Sequence, residues 1–186
     1  MITLQQAIEI ATEAHKVQWR KPTTKVTDSW DCYKHNIDLI HENGNKITWC
    51  HSDTFLVSEP YITHPLTVME MMGTEEEKIV AVLHDVFEDN KNFTLEHNRP
   101  IKESEVSHWI QHFDKKYTIT SNLYDALLLL TKTDRLSYLE YINTITLSNL
   151  ATKIKIADMM HNMSETTNSA QKDKYLKALP TLLKGL

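Results

Sequence analysis

The stretch Ile79-Val80-Ala81-Val82-Leu83-His84-Asp85-Val86-Phe87-Glu88-Asp89 decides the fold. It follows Thr74-Glu75-Glu76-Glu77, a capping box with Thr74 as N-cap and Glu77 reaching back to it. Ile79, Val80, Val82, Leu83, Val86 and Phe87 are apolar nearly all round a helical wheel, which predicts a buried helix. His84, Asp85, Glu88 and Asp89 share one arc of it, because residues three and four apart lie on one face. An imidazole and three carboxylates in such surroundings repel and desolvate one another unless a cation holds them. The pattern therefore predicts a bound metal.

Working outward, Tyr61-Ile62-Thr63-His64-Pro65 opens the preceding helix, with Pro65 suited to the first helical position and Leu66, Val68, Met69 and Met72 directed inward. A histidine at a helix start is commonly a cap, but His64 stands just ahead of the carboxylate helix and competes as a ligand. Downstream, Leu150 to Asn162 reads as a helix with Lys155, Asp158 and Asn162 on one face and Ile154, Ile156, Ala157 and Met160 in the core. A buried Asp beside a Lys is ordinarily an ion pair. Asp158 is also the missing fourth hard ligand for a site begun by His64, His84 and Asp85.

The remaining pattern is helical too. Thr3-Leu4-Gln5-Gln6 and Ser137-Tyr138-Leu139-Glu140 are further capping boxes. Val106, Trp109, Ile110 and Phe113 mark one amphipathic helix, Leu123, Ala126, Leu127 and Leu130 another, and Tyr141, Ile142 and Ile145 a third. A closing helix around Tyr175, Leu176 and Leu179 is expected to break at Pro180. The first helix ends in His15-Lys16-Val17-Gln18-Trp19-Arg20-Lys21 before Pro22, a cationic end that either complements the helix dipole or offers an anion-binding edge.

Between Thr23 and Glu59 the helical pattern fails. Asn43-Gly44-Asn45 signals a turn and Lys46-Ile47-Thr48-Trp49 a short strand, so a lid, flap or small hairpin is expected, with Trp30, Tyr33, Trp49 and Phe55 as apolar mass. Cys32, His35, Cys50 and His51 lack the spacing of a zinc finger. With 186 residues, 3 Gly and 5 Pro, the chain suits a single all-α domain spanning 1–186 with an insertion at 23–59. A net charge of -5 argues against a general nucleic-acid coat. Two cysteines, no signal-peptide core and no membrane-length apolar run lead us to expect a cytoplasmic protein.

The ordered set Tyr61-Ile62-Thr63-His64-Pro65, His84-Asp85-x-x-Glu88-Asp89 and Asp158-x-x-x-Asn162 resembles the HD-domain hydrolases of the RelA/SpoT type, in particular the single-domain small alarmone hydrolases. Gln18-x-Arg20-Lys21 and Leu130-Thr131-Lys132 fit the same pattern, so the likeness covers most of the chain outside the insertion. The resemblance implies a helical HD bundle in which His64, His84, Asp85 and Asp158 hold one divalent cation, commonly Mn²⁺. It implies that Glu88 and Asp89 orient or deprotonate the attacking water, and that Arg20, Lys21, Lys155 and Asn162 line the nucleotide and its phosphates. The implied reaction removes the 3′-pyrophosphate of guanosine tetra- or pentaphosphate. The family joins its Arg-Lys to its His-Pro by a short loop, so the long insertion is a departure. It leaves open a nucleotide phosphomonoesterase, such as the NADPH 2′-phosphatase activity of metazoan relatives. A non-catalytic module binding a nucleotide or a protein stands as a third reading, against which the intact Glu88 and Asp89 argue.

Overall fold

The computed structural model describes residues 1–16, 18–20, 24–27, 38–40, 46–50, 54–89 and 103–186, with backbone alone for the strand residues up to 57 and for 89, 103 and 104. The fold is mostly helical, as the composition and periodicity predict. The chain divides into two compact units, one of residues 1–14 and 64–186 and one of residues 15–63.

The first unit carries the helices. α1 spans Leu4–His15, its last residue passing into the second unit, and α2 spans Thr63–Glu70. There follow α3 (Glu75–Leu83), α4 (Val86–Asp89), α5 (Glu103–Tyr117), α6 (Ser121–Leu130), α7 (Tyr138–Ile145), α8 (Asn149–Glu165) and α9 (Ser169–Leu183). The starts of these helices are local chemistry. Thr74 Oγ1 accepts the Glu77 N–H at 3.2 Å while Glu77 Oε2 accepts the Thr74 N–H at 3.0 Å. Ser137 and Glu140 repeat that reciprocal cap, as do Thr3 and Gln6. Each cap satisfies donors that a helix N-terminus otherwise leaves without partners.

α3 is the centre of the core. Ile79 to Leu83 are all buried, and α3 packs against both α6 and α8. Burying such side chains stabilises by about 1.5–3 kcal/mol each, which is what fixes α3 between its neighbours. α8 packs in turn on α9, and α5 on α6.

Three expectations about the helices are corrected. The stretch from Ile79 to Asp89 is not one helix: α3 stops at Leu83, His84 and Asp85 form a turn, and α4 restarts at Val86. The reason is competition for one carbonyl. Ala81 O, which a continuing helix would give to the Asp85 N–H, accepts the His84 Nδ1–H at 2.6 Å. His84 keeps right-handed helical angles (φ -58, ψ -34), so the break is slight and the neighbouring side chains stay close.

Met160 is 54% exposed while Met159 is fully buried, because α8 is enclosed by several helices and their placement chooses which methionine faces inward. Finally, α9 runs through Pro180 to Leu183. Pro180 is exposed and Leu176, whose carbonyl loses its helical donor, lies on an exposed part of the helix, so water can take the missing donor's place. Ala178 and Leu182, not Leu176, bury the inner face.

The second unit is a sheet, larger than the expected hairpin. β1 (Thr24–Thr27), β2 (Asp38–Ile40), β3 (Lys46–Cys50) and β4 (Thr54–Ser58) pair antiparallel in the order β1-β4-β3-β2. Trp49 stands opposite Phe55 in the β3–β4 register. The entering and leaving chains also pair. Trp19 bridges Pro60, the Arg20 N–H donates to Glu59 O at 2.9 Å, and the Tyr61 N–H donates to Gln18 O at 2.9 Å. Cys32, His35 and His51, like Trp30 and Tyr33, lie outside the described residues.

Candidate metal centre

The turn after α3, the start of α2 and the middle of α8 bring their polar side chains to one place. His64, His84 and Asp85 each present a ligand-capable atom, and these atoms lie within 4.8 Å of one another. His64 Nε2 is 3.5 Å from Asp85 Oδ2, and His84 Nε2 is 3.1 Å from the same oxygen. Asp158 joins from α8, its Oδ1 3.1 Å from His64 Nε2 and 3.8 Å from His84 Nε2. His64, His84 and Asp158 are buried, and Asp85 is nearly so. All four residues belong to the helical unit.

His84 tests whether such a set fits a cation. Its Nδ1 faces a carbonyl, which can only accept, so Nδ1 carries the proton and neutral His84 turns a lone pair on Nε2 into the cluster. That buried Nε2 makes no aligned hydrogen bond, although two carboxylates stand near it. A buried imidazole lone pair facing carboxylate oxygens is an unfavourable arrangement unless a proton or a metal ion lies between them. His64, His84 and Asp85 therefore fit a metal ion, and the imidazole–carboxylate set suits a borderline-hard divalent one.

Electrostatics agree with the geometry. Burial works against charge on His84, yet Asp85 and Asp158 hold its imidazole well above the ordinary histidine range. Burial equally opposes charge on Asp158, but Lys155, His64 and His84 hold its carboxyl well below the usual range. Asp85 is also held low, against burial, chiefly by His84. The cluster is built to contain positive charge.

Other sequence-selected residues surround these four. Lys155 Nζ donates to Asp158 Oδ2 at 2.6 Å and Asn162 Nδ2 to Asp158 Oδ1 at 2.5 Å, so both engage Asp158 from the same helix face. Glu88 is exposed, and its Oε2 accepts the backbone N–H of Lys132 at 2.9 Å. The residues just before Lys132 are anchored, since Thr131 Oγ1 donates to Leu127 O at 2.9 Å and the Tyr141 hydroxyl donates to Leu130 O at 2.5 Å. Burial, with added repulsion from Glu88, Asp158 and Asp85, pushes the Tyr141 phenol well above its ordinary range despite Lys155. Arg20 belongs to the second unit, where its guanidinium lies 5.7 Å from the Tyr61 ring centroid. Lys21 and the Asp89 side chain lie outside the described residues.

Sequence reasoning singled out Leu130-Thr131-Lys132 but not the backbone contact of Lys132 to Glu88, which no side-chain pattern reveals, and it missed His161. His161 Nδ1 lies 2.6 Å from His64 Nδ1, and its place three residues after Asp158, on the same helix face, was the available signal. Neither a scan against protein-family models nor a search of curated proteins returns a match. Among the described residues no helix is long and apolar enough to cross a membrane.

Proposed function

We propose that this protein is a metal-dependent phosphohydrolase that removes the 3′-pyrophosphate from guanosine tetra- or pentaphosphate, giving GDP or GTP and pyrophosphate. One observation carries the hydrolase reading: His64, His84, Asp85 and Asp158 converge in a buried cluster whose His84 Nε2 faces carboxylates without a hydrogen bond. The ordered motifs of the sequence support the substrate, with Mn²⁺ as the proposed cation. When bound, such an ion lowers the pKa of a coordinated water and offsets charge on phosphoryl oxygens.

The chain's own residues have distinct tasks in this reading. Lys155 and Asn162 hold the Asp158 carboxylate by hydrogen bonds to both of its oxygens. The Lys132 N–H fixes Glu88 by one oxygen, and the carboxylate keeps lone pairs with which to take a proton from the attacking water. Asp89 assists in orienting that water. The new bond joins the water oxygen to phosphorus as the bond from phosphorus to the 3′ oxygen breaks, and that oxygen ends protonated.

The test is a panel of nucleotides incubated with Mn²⁺-loaded protein, with products separated. Pyrophosphate and GDP from guanosine tetraphosphate are expected. Orthophosphate release from NADPH or another nucleotide in their place would identify a phosphomonoesterase, and nucleotide binding without turnover would identify a non-catalytic module.

A further inference from the structure

We infer that His161 and Glu165 form a positioning pair that fixes the tautomer of His64, so that the His64 Nε2 lone pair is presented to the cation. The inference rests on the metal reading above. His64 Nδ1 and His161 Nδ1 are 2.6 Å apart, while the ring centroids are 4.9 Å apart and the planes differ by 27°. The nitrogens are far closer than the centroids, so the rings meet edge to edge, as an in-plane hydrogen bond requires. On the opposite edge of the second ring, His161 Nε2 lies 3.3 Å from Glu165 Oε1. His161 is largely buried and Glu165 partly so, which protects both contacts from competition by water.

Between two neutral imidazoles, one Nδ1 must donate and the other accept. If His161 donated from Nδ1, its Nε2 would turn a lone pair toward the Glu165 carboxylate, and the two would repel. With the proton on Nε2, His161 donates to Glu165 and its Nδ1 becomes an acceptor. His64 must then carry its proton on Nδ1 and its lone pair on Nε2. That nitrogen is the one facing Asp85 and Asp158. His84 reaches the same state by another route, through its Nδ1 bond to Ala81 O. Both imidazoles are thus set with Nε2 toward the ion, one by a backbone carbonyl and one by a His–Glu pair. Partners behind metal-binding histidines fix ring orientation and raise ligand basicity, and losing one typically costs about 10- to 100-fold in metal affinity.

The test uses the full chain and titrates Mn²⁺ by calorimetry, with folding of each variant checked by circular dichroism. His161→Phe keeps a ring but removes the acceptor, and should weaken Mn²⁺ binding about 10- to 100-fold. His161→Asn returns a carbonyl oxygen near the Nδ1 position and should recover most of that loss. Met160→Ala, one residue away and exposed, should bind as the parent does. A second measurement needs no variant: a long-range ¹H–¹⁵N spectrum with Zn²⁺ as a diamagnetic stand-in should show His161 protonated on Nε2 and His64 on Nδ1. Unchanged affinity in folded His161→Phe, or His161 protonated on Nδ1 alone, overturns the inference while leaving the metal site standing. No metal binding by the parent protein overturns both.

Discussion

Asp158→Asn separates the two duties of Asp158. Asp158 is 4% exposed, and its carboxylate receives Lys155 Nζ at 2.6 Å and Asn162 Nδ2 at 2.5 Å. Asparagine has nearly the same shape, so packing is kept, but the Lys155 ammonium loses its counter-charge. Breaking a buried pair costs about 3–5 kcal/mol, and because the Lys155 side chain is 17% exposed we take the lower end, about 3 kcal/mol. For a urea dependence of about 2–3 kcal/mol per M, the midpoint of the metal-free protein should fall by about 1–1.5 M. Mn²⁺ binding should fall with it, since one anionic ligand is gone. The second variant, Asp158→Asn with Lys155→Met, removes both charges. It should recover much of the urea midpoint and none of the metal affinity, because the ion pair is dispensable where the ligand is not. The assays are urea denaturation followed by circular dichroism, and calorimetric metal titration. Full metal occupancy in Asp158→Asn would refute its place among the ligands, and an unchanged midpoint would refute the ion-pair argument.

Glu88→Gln keeps an oxygen for the Lys132 N–H, so metal content and melting temperature should hold while turnover falls about 10²- to 10⁴-fold; near-normal turnover removes Glu88 as the base. The stabilisation of the folded state by Mn²⁺ should grow with pH. His84 is held above its unfolded value, so in the metal-free protein its contribution is full below about pH 6.5 and is lost as pH rises through the raised value. The lowered Asp85 and Asp158 contribute above about pH 4 and lose that only in strong acid. Thermal melts with and without Mn²⁺ should therefore diverge from pH 6 upward, and a larger metal effect at pH 5.5 than at pH 8 would contradict this. Replacing residues 23–59 by a short Gly-Ser link should leave metal binding intact, because the four proposed ligands all come from residues 64–186, yet change KM or the ranking of nucleotides. Identical kinetics across the panel would separate the insertion from substrate recognition.

What the sequence determined by itself was whatever depends on neighbours within a turn or two. The caps at Thr74–Glu77, Ser137–Glu140 and Thr3–Gln6 form because donor and acceptor are three residues apart. The buried run of α3 and the Lys155–Asp158–Asn162 face follow from helical periodicity alone. The break after Leu83 is local as well, since His84 takes the carbonyl three residues back, a competition that the apolar pattern does not express. Only the tertiary structure decided the rest. The choice of Met159 over Met160 for the core depends on where the helices around α8 stand. The sheet pairs β1 with β4, and such a register depends on strands remote in sequence meeting edge to edge. His64 and His161 meet across 97 positions, although each alone reads as an ordinary histidine on a helix. The His161–Glu165 contact is one helical turn within α8 and so is local, whereas His64 meets Asp158 and His161 only in the folded chain.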